Sequence, residues 1–160
     1  MTEHVFNAQL TWQSMGRPFN FKEYSRLYTI RSKGKPDLIG TAAPAYSGSE
    51  YHYNPEDMLV MSLSACHMLT YLAYASNSKL EVLSYVDNAE GSLFQDGKIM
   101  RFKEVILRPK ILIKKGGNME LANSLHEKAH HACFIANSVN FPVKIVPEMI
   151  AGELSLETVV

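Results

Sequence analysis

Asn54-Pro55-Glu56-Asp57, followed by MLVMSLSACHMLTYLAYAS over residues 58–76, is the stretch on which the reading of the whole chain turns. Asparagine at the cap, proline at the first helical position and two acids in the first turn make a strong helix start. The run to about Ser76 is apolar on nearly every face, through Met58, Leu59, Met61, Leu63, Ala65, Met68, Leu69, Tyr71 and Leu72. A helix that is apolar all round is predicted to be the buried central helix of its domain. At roughly 20 residues it is as long as a membrane span, but Glu56, Asp57, Ser62, Ser64, His67 and Thr70 interrupt it.

On the N-terminal side, residues 3–12, 25–32 and 37–45 are short β-branched or aromatic stretches separated by Gly, Pro, Asn and Lys, and they read as an antiparallel meander. On the C-terminal side, residues 79–94 and 100–114 read as two longer strands joined through Gln95-Asp96-Gly97. Gly116-Gly117-Asn118 then leads into an amphipathic helix over 119–138, and 142–146 and 152–159 read as late strands. Strands, helix, strands, helix, strands is the order of an α+β fold with antiparallel sheets packed on two central helices, in one domain over residues 1–160.

Composition agrees. The 160 residues are 46% apolar and 20% charged, and the formal net charge is zero, so no basic field is available to hold a phosphate backbone. Nucleic acid and membrane are therefore not expected partners. The opening MTEHVFNAQLTW lacks the basic start and apolar run of a secretory signal, which makes a cytoplasmic location the expectation. A reducing compartment keeps thiols free, so Cys66 and Cys133 are poor candidates for a permanent staple. They are candidates for redox chemistry, for ligation, or for plain core packing; either one alone is more often a buried structural residue.

Redox work by a thiol needs its thiolate, and a free cysteine of pKa ~8.5 is only a few per cent ionised at neutral pH. Cys66 stands mid-helix, 12 residues past the Asn54 cap, where the field of the helix dipole has faded. Burial alone would raise its pKa. A guanidinium is the natural activator, because it stays charged and can bind a thiolate and a carboxylate together. The N-terminal segment offers Arg17, Arg26 and Arg31.

Two stretches carry a resemblance. Asn54-Pro55-Glu56 with Ser64-Ala65-Cys66-His67-Met68 resembles the first signature of the OsmC/Ohr family, and Ala129-His130-His131-Ala132-Cys133-Phe134-Ile135-Ala136-Asn137 resembles the second. The similarity runs from about Tyr24 to Val146, and two signatures in order and spacing overturn the structural reading of the cysteines. The resemblance implies an intertwined homodimer that reduces organic hydroperoxides to alcohols, without metal, haem or flavin. Its reductant would be a dithiol such as a lipoyl group. Carried over by position, Cys66 is the peroxide-reacting thiol, Cys133 the resolving thiol and Glu56 the carboxylate that orients an arginine. Tyr24-Ser25-Arg26-Leu27-Tyr28 resembles the Tyr-Ser-Arg element of one branch of the family, which favours Arg26 for that role, with Arg17 second. Phe134 stands where the pattern has proline.

On one continuous helix the ten residues between Glu56 and Cys66 amount to ~15 Å of rise and about 80° of rotation. The two cannot touch, so an arginine spans between them or the glutamate serves a partner subunit. Other classes are weighed on the same residues. His126, His130 and Cys133 fall on one helical face and with Cys66 would make a tetrahedral zinc set; His67 reads as a core or interface histidine, and His126 and His130 otherwise as solvated or capping groups. A hydrolase is disfavoured, because Ser62-Leu63-Ser64 lacks the glycines of a nucleophile elbow. An OsmC-like chain with a drifted role, binding a small apolar ligand or sensing thiol redox state, is the remaining alternative.

Overall fold

The computed structural model describes residues 3–154. The chain forms two compact units, Met1–Leu59 and Val60–Val160. In the first, β1 (Gln9–Thr11), β2 (Tyr28–Arg31) and β3 (Leu38–Gly40) form the expected antiparallel meander, pairing Leu10 with Ile30 and Thr29 with Ile39. Gly40 has a packing reason: a Cβ there would sit 2.4 Å from the Tyr28 ring.

Helix α1 (Pro55–Asn77) starts where its cap signals place it. Asn54 Oδ1 accepts the Asp57 N–H at 2.8 Å and Asp57 Oδ2 accepts the Asn54 N–H at 3.2 Å, a reciprocal cap that satisfies two otherwise orphaned donors. By length and composition the helix could cross a membrane. The expectation of burial on nearly every face is corrected. Only Leu63, His67, Tyr71 and Ala75 are buried, one residue per turn, while Leu69 is 63% exposed. A single chain supplies packing partners for one stripe of the helix, and its remaining apolar faces stay half-buried or open.

In the second unit that stripe meets α2 (Met119–Ala132) and a sheet of order β4-β7-β9, formed by Val82–Asp87, Pro109–Lys114 and Glu148–Gly152. Tyr71, Ala75, Ile111, Ile113, Leu125 and Ala129 are the centre of the core. A second sheet, order β5-β6-β8, comprises Glu90–Asp96, Ile99–Leu107 and Val143–Ile145. Each of the two long strands expected over 79–94 and 100–114 is thus two strands in different sheets. Asp87 marks the switch: Oδ1 accepts the Arg108 N–H at 2.7 Å, a donor withdrawn from the ladder just before Pro109, which has none to give.

The late strands correct two further expectations. β8 pairs with β6 and β9 with β7 in parallel, so both sheets are mixed rather than antiparallel. The last strand is Glu148–Gly152; of the expected 152–159 segment, residues 155–160 lie outside the described residues. Helix α2 begins on Asn118, whose Oδ1 accepts the Leu121 N–H at 2.9 Å, a cap worth ~1 kcal/mol. It ends at Ala132 rather than continuing to 138. Cys133 takes an extended backbone (φ −71°, ψ 112°), and a 3-10 turn follows at Ala136–Ser138. Asn137 Nδ2 donates to the carbonyls of His131 (2.8 Å) and Cys133 (2.9 Å), giving the helix end the partners it would otherwise lack.

Candidate active site

The two cysteines come together. Cys66 is half-buried on α1, Cys133 is 1% exposed at the end of α2, both are free, and the Cys133 thiol hydrogen-bonds to the Cys66 sulfur. Their titrations are driven apart. Burial pushes Cys66 up, but the N–H of Ile135, the Cys133 thiol and the N–H of Phe134 outweigh it, and its pKa falls below the ordinary 9.0. The Thr70 hydroxyl also lies close, but it has one proton and donates it to the Cys66 carbonyl at 2.8 Å, so it does least for the sulfur. Cys133 is pushed up to about 11, by burial first and then by its bond to Cys66. The pair therefore divides into one sulfur suited to carry charge and one suited to keep its proton.

Main-chain donors are what sequence reasoning missed here. The mid-helix position of Cys66 called for an arginine, yet two amides from the turn after α2 already lower its pKa. The visible signal was Phe134: a proline there could have donated nothing.

The first unit holds the arginine candidates and Glu56. Arg26 Nη1 donates to the Tyr24 carbonyl at 2.7 Å and Nη2 to the Phe21 carbonyl at 2.5 Å, while its guanidinium lies 3.7 Å from the centre of the Tyr24 ring. Arg17 and Arg26 line one pocket of about 250 Å³ with His52. Arg31 is spent on Asp37 at 2.9 Å. Glu56 Oε2 is buried with no hydrogen-bond partner, and its charge, after burial, helps to raise the Tyr28 pKa. Among the described residues no ion pair joins Arg26 to Glu56.

His67 is the core histidine its position predicted, whereas His126 fits neither the zinc set nor the solvated helix face. His126 is 4% exposed, not a solvated surface group, and its Nδ1 lies 3.0 Å from Nε2 of His67, which is 1% exposed. The two imidazoles are near-parallel and meet edge to edge through that bond, with centroids 5.4 Å apart, and His126 stacks on Tyr71 with centroids 4.4 Å apart. Tyr71 in turn donates to the Ala122 carbonyl at 3.0 Å. Both histidines are pushed down to about 4. Burial is the main cause for each; the charge of His130 adds to it for His67, against the opposing pull of Asp87, and that of His67 adds to it for His126. Among the described residues no group of three or more His, Cys, Asp or Glu could hold a metal, because His126 turns inward to His67 rather than joining His130 and Cys133.

Met61 and Met68 line an open pocket of about 340 Å³ with Ser64, Tyr85 and Asp87. These α1 positions lie more than 100° around the axis from Cys66. Ser64 Oγ donates to Asp87 Oδ2 at 2.6 Å across it.

An α+β chain that brings two free cysteines into contact at the ends of its two signatures defines a class of thiol-bearing protein. The chain belongs to the OsmC-like protein family, whose sequence pattern matches residues 47–148. An OsmC-like protein of unknown function from Vibrio cholerae is 31% identical, aligned over 92% of this chain and 100% of its own, with a TM-score of 0.83. The uncharacterized protein YmaD of Bacillus subtilis is 26% identical over 91% of this chain and 93% of its own length. An organic hydroperoxide resistance protein OsmC from Legionella pneumophila shares the fold at 20% identity, with a TM-score of 0.69 over 94% of this chain and 99% of its own.

Proposed function

We propose that the chain is a thiol-dependent peroxidase that reduces organic hydroperoxides to alcohols. The observation that carries this reading is the meeting of two free cysteines, half-buried Cys66 on α1 and enclosed Cys133 at the end of α2. The Cys66 thiolate attacks the terminal peroxide oxygen; the O–O bond breaks, the alkoxide leaves and takes a proton to become the alcohol, and Cys66 becomes a sulfenic acid. Cys133, held protonated beside it, then attacks that sulfur. The new S–S bond displaces hydroxide, which takes the Cys133 proton and leaves as water. A dithiol reductant, a lipoyl group in this proposal, exchanges with the disulfide and restores both thiols as its own disulfide forms.

In the same reading Arg26 is the cation that assists the thiolate and Glu56 the carboxylate that orients it. The buried, unpartnered Oε2 of Glu56 supports this, since it lacks the donor a guanidinium would supply. The exposed apolar faces of α1 support a homodimer, and the cytoplasm is the compartment proposed. Titration of the folded, metal-free protein with cumene hydroperoxide is expected to consume two thiols per chain. Arg26→Ala is expected to slow that loss without changing its stoichiometry. Both thiols intact after excess peroxide would refute the peroxidase, and an unslowed Arg26→Ala would remove the arginine from its proposed part.

A further inference from the structure

Three consecutive carbonyls after α2 are tied down. The Cys133 carbonyl accepts the Asn137 N–H (3.1 Å) and Asn137 Nδ2 (2.9 Å); the Phe134 carbonyl accepts Ser138 Oγ (2.8 Å); the Ile135 carbonyl accepts the Ser138 N–H (3.0 Å). A trans peptide unit is planar, with its N–H directed opposite to its C=O, and the chain has no cis bond among the described residues. Fixing those three carbonyls therefore fixes the N–H groups of Phe134, Ile135 and Ala136 on the other side of the turn. The two sulfurs lie on that side: Phe134 and Ile135 donate to Cys66, and Ile135 and Ala136 donate to Cys133.

We propose that residues 134–136 form an amide cradle that holds the sulfurs of Cys66 and Cys133 side by side, and that Asn137 is the positioning residue that aims it. Three features support this. The Ile135 N–H is shared by both sulfurs, so the cradle sets their spacing. Hydrogen bonds to a charged acceptor are the strong ones, so the donors favour whichever sulfur is ionised. The Asn137 side chain is exposed and, among the described residues, makes its bonds only to the carbonyls of His131 and Cys133, so its work lies in the turn and not in the core. The cradle deepens the peroxidase reading, which gives it a purpose, but its existence is tested without peroxide.

The test is the pH profile of Cys66 alkylation by iodoacetamide, followed by mass spectrometry of the Cys66 peptide. Phe134→Pro deletes one donor, and the extended Cys133 backbone is the conformation a following proline prefers. Phe134→Ala deletes the 80%-exposed ring and keeps the donor. Phe134→Pro is expected to raise the Cys66 pKa by about one unit, cutting its thiolate at neutral pH about tenfold, while Phe134→Ala keeps the wild-type value. Asn137→Ala is expected to move it the same way by a smaller amount, because the main-chain bond to Cys133 remains. Equal profiles for Phe134→Pro and Phe134→Ala overturn the cradle, and a wild-type profile for Asn137→Ala overturns the part given to Asn137. Should Phe134→Pro not fold, amide NMR of the wild type decides. The Phe134 and Ile135 protons are expected to titrate with Cys66 and to lose that inflection in Cys66→Ser; protons that ignore Cys66 overturn the proposal. A chain without peroxidase turnover would still pass or fail each of these tests.

Discussion

Cys66→Ser is expected to abolish steady-state turnover of tert-butyl hydroperoxide with a lipoyl dithiol, and Cys133→Ser to allow at most one equivalent of peroxide per chain. The first effect follows from ionisation. The donors around position 66 lower a thiol already near the working range, whereas a serine hydroxyl is too weak an acid for them to yield a useful alkoxide. The second follows from the sulfenic acid, which without Cys133 has no neighbouring thiol to condense with. Alcohol production per chain, measured with and without the dithiol, separates these outcomes. Near-normal rates in either variant would refute the roles assigned to the pair.

Folding stability is expected to fall by several kcal/mol as the pH drops from about 6.5 to 4. His67 and His126 are held neutral in the folded chain, at about 4, against an ordinary 6.5. The unfolded chain therefore binds more protons throughout that window, and stability rises with pH across it and is fully present above 6.5. A difference of that size is worth on the order of 3 kcal/mol per ring. The structural cause is the absence of anywhere to put the charge. His67 Nδ1 and His126 Nε2 are buried without partners, and their remaining nitrogens already share a bond. His130 adds like charge, and Asp87, occupied by Ser64 and Arg108, offsets only part of the cost. Urea unfolding midpoints at a series of pH values would show the decline beginning near pH 6.5, above the range of about 4 in which ordinary carboxylates titrate. A midpoint that does not move between pH 6.5 and 4.5 would rule out the neutral buried pair.

The start of α1 and the partnership of Cys66 with Cys133 were legible because each is written in side chains at fixed spacing. Asn54, Pro55 and Asp57 announce the helix locally, and the two signatures place the cysteines. What was not legible depends on main-chain groups or on distant pairing. The end of α2 has no glycine to mark it; it is made by the Asn137 amide folding back on the His131 and Cys133 carbonyls. The switch between sheets at Arg108 needs Asp87, 21 residues away. His67 and His126 meet across 59 residues, so helical periodicity gave His126 a face but no partner. The donors to Cys66 belong to peptide bonds, which leave no mark in residue type unless one of them is a proline.

Cys133 is almost wholly enclosed, while Cys66 is reached from outside. The pair thus has a front and a back. In the proposed cycle a molecule arriving from solvent would meet Cys66 first, whether it brought oxidising or reducing equivalents, and the group expelled in exchange would be the reluctant Cys133 thiolate. Enclosure of one sulfur gives the exchange a direction: entry and departure use the same door, and the inner thiol is visited only through the outer one.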